Sequence, residues 1–192
     1  MNNGVKTILI ILAVFAAVAV GAVLYGMGEY NKAVAMDEQV KSQWAQVENQ
    51  LKRRYDLIPN LVETVKGYAK HERELFENIA NARTKYFQAS TVQDKIQSSQ
   101  QIEGLLSRLL VLRETYPQLK ANESFLKLQD SLEGTENRIA VERMRYNDTV
   151  KVLNTYRRTV FGRFFASLAG VNEAKYYEVP QAEKEAPKVK FP

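Results

Sequence analysis

The stretch from Thr7 to Tyr25, TILIILAVFAAVAVGAVLY, carries no charged residue. At ~1.5 Å per helical residue, roughly 19 residues cover about 28 Å, close to the ~30 Å hydrocarbon core of a bilayer. The run is apolar on every face, whereas a surface helix of a soluble protein keeps one polar side. Lys6 precedes it, and Tyr25 and Tyr30 stand where interfacial aromatic residues are expected. Residues 1–28 therefore read as a retained single-pass membrane anchor. The rival reading is a cleaved signal peptide, for which Ala17-Val18-Ala19 offers small residues. Against it, little charge precedes the apolar run, and the run continues to Tyr25. Gly26 and Gly28 are expected to loosen the chain beyond the anchor. Lys6 on one flank and Lys32 and Lys41 on the other nearly balance, so charge assigns residues 29–192 to neither side of the membrane.

Beyond the anchor, apolar residues recur at helical spacing. Val40, Trp44, Val47 and Leu51 form one stripe. Leu57, Leu61, Val65 and Tyr68 continue it, followed by Leu75, Ile79, Ala82 and Tyr86. Residues 88–100, QASTVQDKIQSSQ, are polar and weakly periodic and read as a connection in which Ser90 or Thr91 caps the next helix. A further stripe, Ile102, Leu105, Leu109, Leu112 and Tyr116, ends at Pro117. The longest runs from Phe125 through Leu132, Ile139, Tyr146, Val150 and Leu153 to Val160, opened by Asn122 or Pro117 and tolerating Gly134. No alternating strand pattern and no fixed-period repeat is present. Amphipathic helices joined by short connections pack as antiparallel neighbours. The predicted fold is all-α: an N-terminal transmembrane helix, then an up-and-down antiparallel four-helix bundle over residues 29–177. Residues 178–192, proline-rich and charged, read as a disordered tail.

Pro59 lies inside one of these stripes, in QLKRRYDLIPNLVETVKGYAKHE (50–72). A proline inside a helix removes the hydrogen bond to the carbonyl four residues back, at a cost of ~3 kcal/mol, but fits the first helical turn. With Asp56 or Asn60 as cap and Asn60-Leu-Val-Glu63 in the form of a capping box, a helix break near residues 55–60 is preferred over a kink. This makes Pro59 the corner between the first and second bundle helices. Arg53, Arg54, Asp56, Pro59 and Asn60 are then candidates for a structural corner or a partner-recognition site.

Catalytic chemistry finds little material. There is no cysteine, which removes disulfides, thiol catalysis and cysteine zinc sites. The single histidine, His71, has no partners at metal-ligand spacing and reads as a core-edge helix residue beside Tyr68 and Leu75. Glu133, Glu136 and Glu142, interspersed with Arg138 and Arg143, read as a solvated, ion-paired helix face. No glycine-rich phosphate loop or G-x-S-x-G turn occurs. The net charge of +5 is too diffuse for a nucleic-acid surface, though it suits an anionic membrane. One more segment, RRTVFGRFFASLAG (157–170), is basic, aromatic and amphipathic. Arg157, Arg158, Phe161, Arg163, Phe164 and Phe165 are candidates for contact with a membrane surface. Packing of these phenylalanines into the bundle end is the preferred reading, because the helix is short and Gly162 weakens it.

The stretch RRYDLIPNLVETVKGYAKHE resembles the signature of the LemA family of bacterial membrane proteins. Further agreement lies in EYNKAV (29–34), ARTKY (82–86), residues 116–156 and YYEV (176–179). The likeness covers roughly residues 29–179. Where the family has a proline after the phenylalanine near 161, this chain reads TVFGRFF. The resemblance implies an N-terminally anchored helical bundle, and it carries no catalytic residue and no cofactor. One branch of the family is associated with magnetosome membranes. The implied function is a non-enzymatic, membrane-anchored scaffold or adaptor of the bacterial envelope, single-pass in the cytoplasmic (inner) membrane. Its expected partners are the lipid bilayer and either copies of itself or another envelope protein, with no nucleic acid and no small-molecule substrate. The alternative is a lipid-binding or membrane-remodelling module acting through residues 157–170.

Overall fold

The computed structural model describes residues 3–178, and the expected C-terminal tail lies almost wholly outside them. Among the described residues the regular structure is entirely helical: α1 (Asn3–Tyr55), α2 (Ile58–Lys66), α3 (Arg73–Gln88), α4 (Val92–Thr115), a 3-10 turn (Pro117–Ala121), α5 (Glu123–Arg158) and α6 (Val160–Leu168). They fall into two compact units, one holding residues 3–42 and 148–174, the other residues 43–147 and 175–178.

In the first unit, every side chain from Lys6 to Tyr25 is exposed. This segment is long and apolar enough to cross a membrane, and none of its apolar window is buried among the described residues. Contiguous apolar surface on this scale is not left in water by soluble proteins. The helix does not loosen at Gly26 or Gly28 but runs unbroken to Tyr55. Each glycine costs ~1 kcal/mol in a helix, and at Gly26 the bare backbone admits the Phe165 ring. Ala33 and Val40 of α1 are buried, as are Val150, Leu153 and Tyr156 of α5. The Tyr156 hydroxyl donates to the Glu29 carbonyl (3.0 Å) and lies 2.9 Å from its carboxylate.

The second unit is an up-and-down four-helix bundle. Direction comes from which residues meet. Along α1, Trp44 stacks edge-on against Tyr146 and Arg54 reaches Leu132 and Glu136, so α1 and α5 are antiparallel. Farther on, Tyr68 accepts from Asn122, which caps α5 by accepting from the Phe125 N–H. Thus α2 continues the path of α1 along α5. The chain reverses only at residues 67–72. Arg83 and Tyr86 of α3 then return to Tyr55, and α4 runs back beside α3 so that Tyr116 meets Glu72.

This corrects the reading of Pro59. Two turn residues do separate α1 from α2, but the corner between bundle helices is the Gly67–Glu72 turn. Leu57 keeps a helical backbone, and no side chain caps α2: Asp56 bonds Lys52 and Asn60 lies within the helix. The carbonyl that Pro59 leaves without its helical donor, on Tyr55, accepts from Arg83 Nε at 3.1 Å, so the break is satisfied by α3. His71 sits exposed in the reversal, away from the core edge.

The expected connection at 88–100 is also shorter than its polarity implies. Only residues 89–91 link α3 to α4. Thr91 supplies the cap, accepting from the Asp94 N–H (3.1 Å) while donating to its carboxylate (2.6 Å). Ile96, Ser99 and Ile102 then carry the buried face. Replacing Thr91 with Ala is expected to cost ~1 kcal/mol, read as a lower midpoint with unchanged slope in denaturant unfolding; Thr91→Ser should retain most of it.

Candidate functional site

Among the described residues a charged side chain is buried in the bundle at one point. Arg54, on the last turn of α1, is only 7% exposed. Its guanidinium donates to Glu136 of α5 (2.5 Å) and Glu103 of α4 (2.6 Å), and more weakly to the Leu132 carbonyl (3.3 Å). Arginine suits this position because its planar fork can satisfy two acceptors at once. Arg54 therefore ties three helices together from inside. The other members of the candidate corner do not join it. Arg53, Pro59 and Asn60 are exposed, and Asp56 pairs at the surface with Lys52 (2.7 Å) and Arg83 (3.5 Å). Glu136 belongs by its spacing to a solvated face; its side chain is half exposed, yet it is also a ligand of the buried arginine. Glu142 pairs with Arg145 and accepts from Gln43.

Pro59 instead borders an open groove between α2 and α3, with a volume of about 660 Å³. Val62, Phe76 and Ile79 form part of its lining, and Lys66 and Glu77 lie at its edge. Among the described residues no group of three acidic or histidine side chains could hold a metal ion.

A second cluster holds the C-terminal segment of this unit. Tyr177 is buried, its hydroxyl 2.7 Å from Ser99 on α4. The Asn147 amide clasps its backbone, donating to the Tyr177 carbonyl (3.0 Å) and accepting from its N–H (2.8 Å). Tyr146 donates to the Lys175 carbonyl (2.8 Å) and Gln100 to the Glu178 carbonyl (2.8 Å). Burial raises the Tyr177 phenol above its ordinary range, against the lowering effect of Ser99. Sequence reasoning missed this clamp, since Asn147, Ser99 and Gln100 look like surface residues; the signal available was Tyr176-Tyr177 within the YYEV likeness.

The remaining candidates belong to the first unit. α6 is capped at both ends. Thr159 accepts from the Gly162 N–H (3.0 Å). Gly170, at φ 68°, closes a Schellman motif in which Val171 and Gly170 donate to the carbonyls of Ala166 and Ser167. Phe161 and Phe164 do not pack inward as preferred from the sequence. Gly162 and Ala166 are buried, while Phe161 and Phe164 are 59% and 63% exposed. The physical reason is close approach: a Cβ at position 162 would overlap the Tyr156 carbonyl oxygen. A proline fits this backbone no better, which accounts for the glycine in TVFGRFF. Phe165 is half-buried against Gly26, and Arg158 and Arg163 are exposed.

A helix able to span a bilayer, a four-helix bundle, and buried polar groups that serve as structural ties define a membrane-associated, all-helical protein. The chain belongs to the LemA family, whose family model matches residues 43–191, so the resemblance carried by residues 53–72 holds. The match begins at the first residue of the bundle unit. Among curated relatives, magnetosome protein MamQ 2 of Paramagnetospirillum magneticum is 22% identical over 204 residues, covering 93% of this chain and 74% of the relative. Magnetosome protein MamQ of Magnetospirillum gryphiswaldense is 21% identical over 203 residues, covering 92% and 74%.

Proposed function

We propose that this protein is a non-enzymatic scaffold of the bacterial envelope, anchored by a single pass in the cytoplasmic membrane and self-associating through its helical bundle. The observation that supports this most is α1 itself. One uninterrupted helix supplies an uncovered apolar surface over residues 6–25 and, from Trp44 to Tyr55, buried side chains of the bundle. Membrane attachment and the folded domain thus share one element. The family membership and relatives named as magnetosome proteins accord with work at a membrane. The charged groups most drawn into the bundle are engaged with one another, as Arg54 is with Glu103 and Glu136, which favours presentation of a surface over chemistry in a pocket.

The test is crosslinking in native membranes. Discrete bands at multiples of the 21.9 kDa chain are expected, persisting when expression is lowered. A protein that stays monomeric at every crosslinker length overturns self-association.

A further inference from the structure

We infer that α6 lies in the headgroup region of the leaflet where α1 leaves the bilayer, with Phe161, Phe164 and Leu168 inserted among the lipids. This rests on the reading that α1 spans a membrane, and it names the surface that α6 faces.

The faces of α6 are inverted relative to an ordinary surface helix. Its small residues, Gly162 and Ala166, are buried. Its large apolar ones, Phe161, Phe164 and Leu168, point outward and are 59%, 63% and 64% exposed. They fall at i, i+3 and i+7, one continuous face. In water such a face is a liability. In an interface it is what binds.

The level is set by contact with α1. The Phe161 ring meets Tyr25 edge-on, centroids 5.8 Å apart, and Phe165 packs beside Gly26. Tyr25 lies near the end of the charge-free run, which reaches Gly28 before Glu29, so the exposed face of α6 begins near the end of the membrane span. Aromatic rings cluster at this depth because they have an apolar body and tolerate a polar edge.

Charge agrees. Arg158 and Arg163 are exposed beside this face, where the negative surface of an anionic leaflet attracts arginine. Arg157 and Arg158 line a cleft of about 290 Å³ together with Asn154 and Glu173, and the Arg157 Nε is buried with no hydrogen-bond partner among the described residues. The caps at Thr159 and Gly170 fix α6 as a discrete helix.

The natural absence of cysteine permits single spin labels in the full-length chain. Labels at Phe164→Cys, Leu168→Cys, Ser167→Cys, Val14→Cys and Ser131→Cys would be placed in protein reconstituted into vesicles of phosphatidylethanolamine and phosphatidylglycerol. Accessibility to oxygen and to a nickel chelate is then compared. Phe164 and Leu168 should give an oxygen-to-nickel ratio several-fold above Ser167 and Ser131, and below Val14. If both match Ser131 while Val14 reports the bilayer interior, α6 lies in water: the inference falls and the anchor stands. Shielding of Phe164 and Leu168 from both reagents means protein covers the face, and also overturns it. If Val14 itself matches Ser131, the anchor reading fails and this inference with it.

Discussion

Replacing Arg54 with Ala is expected to lower the stability of the bundle by about 2–3 kcal/mol. Removing one partner of a buried ion pair commonly costs ~3–5 kcal/mol, because the survivor is left charged and unpaired. Here the survivors are Glu103 and Glu136, whose side chains retain 26% and 48% of their exposure. Partial rehydration discounts the loss. The two carboxylates nevertheless lose the cation lodged between α4 and α5, and the space of a large side chain opens beside Leu132. For a domain of this size the thermal midpoint should fall by roughly 10 °C. The reverse experiment is harsher. Glu103→Gln with Glu136→Gln strands a guanidinium that is nearly out of water, and should cost at least as much as Arg54→Ala. Removing all charges together, Arg54→Met with both glutamines, should recover most of the loss. Thermal unfolding of the four proteins in one detergent decides the matter. A change within ~0.5 kcal/mol for Arg54→Ala would show that the tie is ornamental, and would return Arg54 to the surface.

Much of the helical packing in both units is legible in the order of the apolar residues. Val40, Trp44, Val47 and Leu51 all turn inward, as do Ile79, Ala82 and Tyr86, and Phe125 through Leu153. Spacing works there because a helix with one apolar stripe has one way to face a core. It fails where the deciding fact is tertiary. Pro59 marks a break but not a reversal, because Arg83, far along the chain, takes the carbonyl that the proline leaves free. Residues 92–100 look like linker since Ser99, which is fully buried, counts as polar in any periodicity. Arg53 and Arg54 are adjacent and chemically alike, yet one lies in solvent and the other inside. Only the 100° step between neighbours on a helix separates them. The phenylalanines of α6 expose a different limit: an amphipathic pattern finds an apolar face but not whether protein or lipid covers it.

Raising the pH is expected to unfold the bundle steeply above about pH 10.5. Tyr55, Tyr86, Tyr146 and Tyr177 are buried, and burial pushes each phenol above its usual value near 10, Tyr146 to about 12 and Tyr55 and Tyr86 further. Below the unfolded value near 10 these groups are protonated in both states, so their contribution is fully present. Above it the unfolded chain sheds protons that the folded chain retains. The unfolded state then binds fewer protons, and stability falls as pH rises until the folded values are passed. Each tyrosine contributes a slope of up to ~1.4 kcal/mol per pH unit, roughly 5–6 kcal/mol per pH unit for the set. Over one pH unit that is comparable with the whole stability of an ordinary domain, ~5–15 kcal/mol. Phenolate absorbance and helical circular dichroism, tracked together, should show this set ionising only as helix is lost, after the exposed tyrosines have titrated. Among the described residues the hydroxyls of Tyr55 and Tyr86 have no hydrogen-bond partner, so the Tyr55→Phe, Tyr86→Phe protein should be nearly as stable as the parent at pH 7. It should unfold at a measurably higher pH with a shallower dependence. Lysine deprotonation weakens surface ion pairs in both proteins alike, so a coincident alkaline midpoint would assign the transition to those pairs and not to the buried phenols.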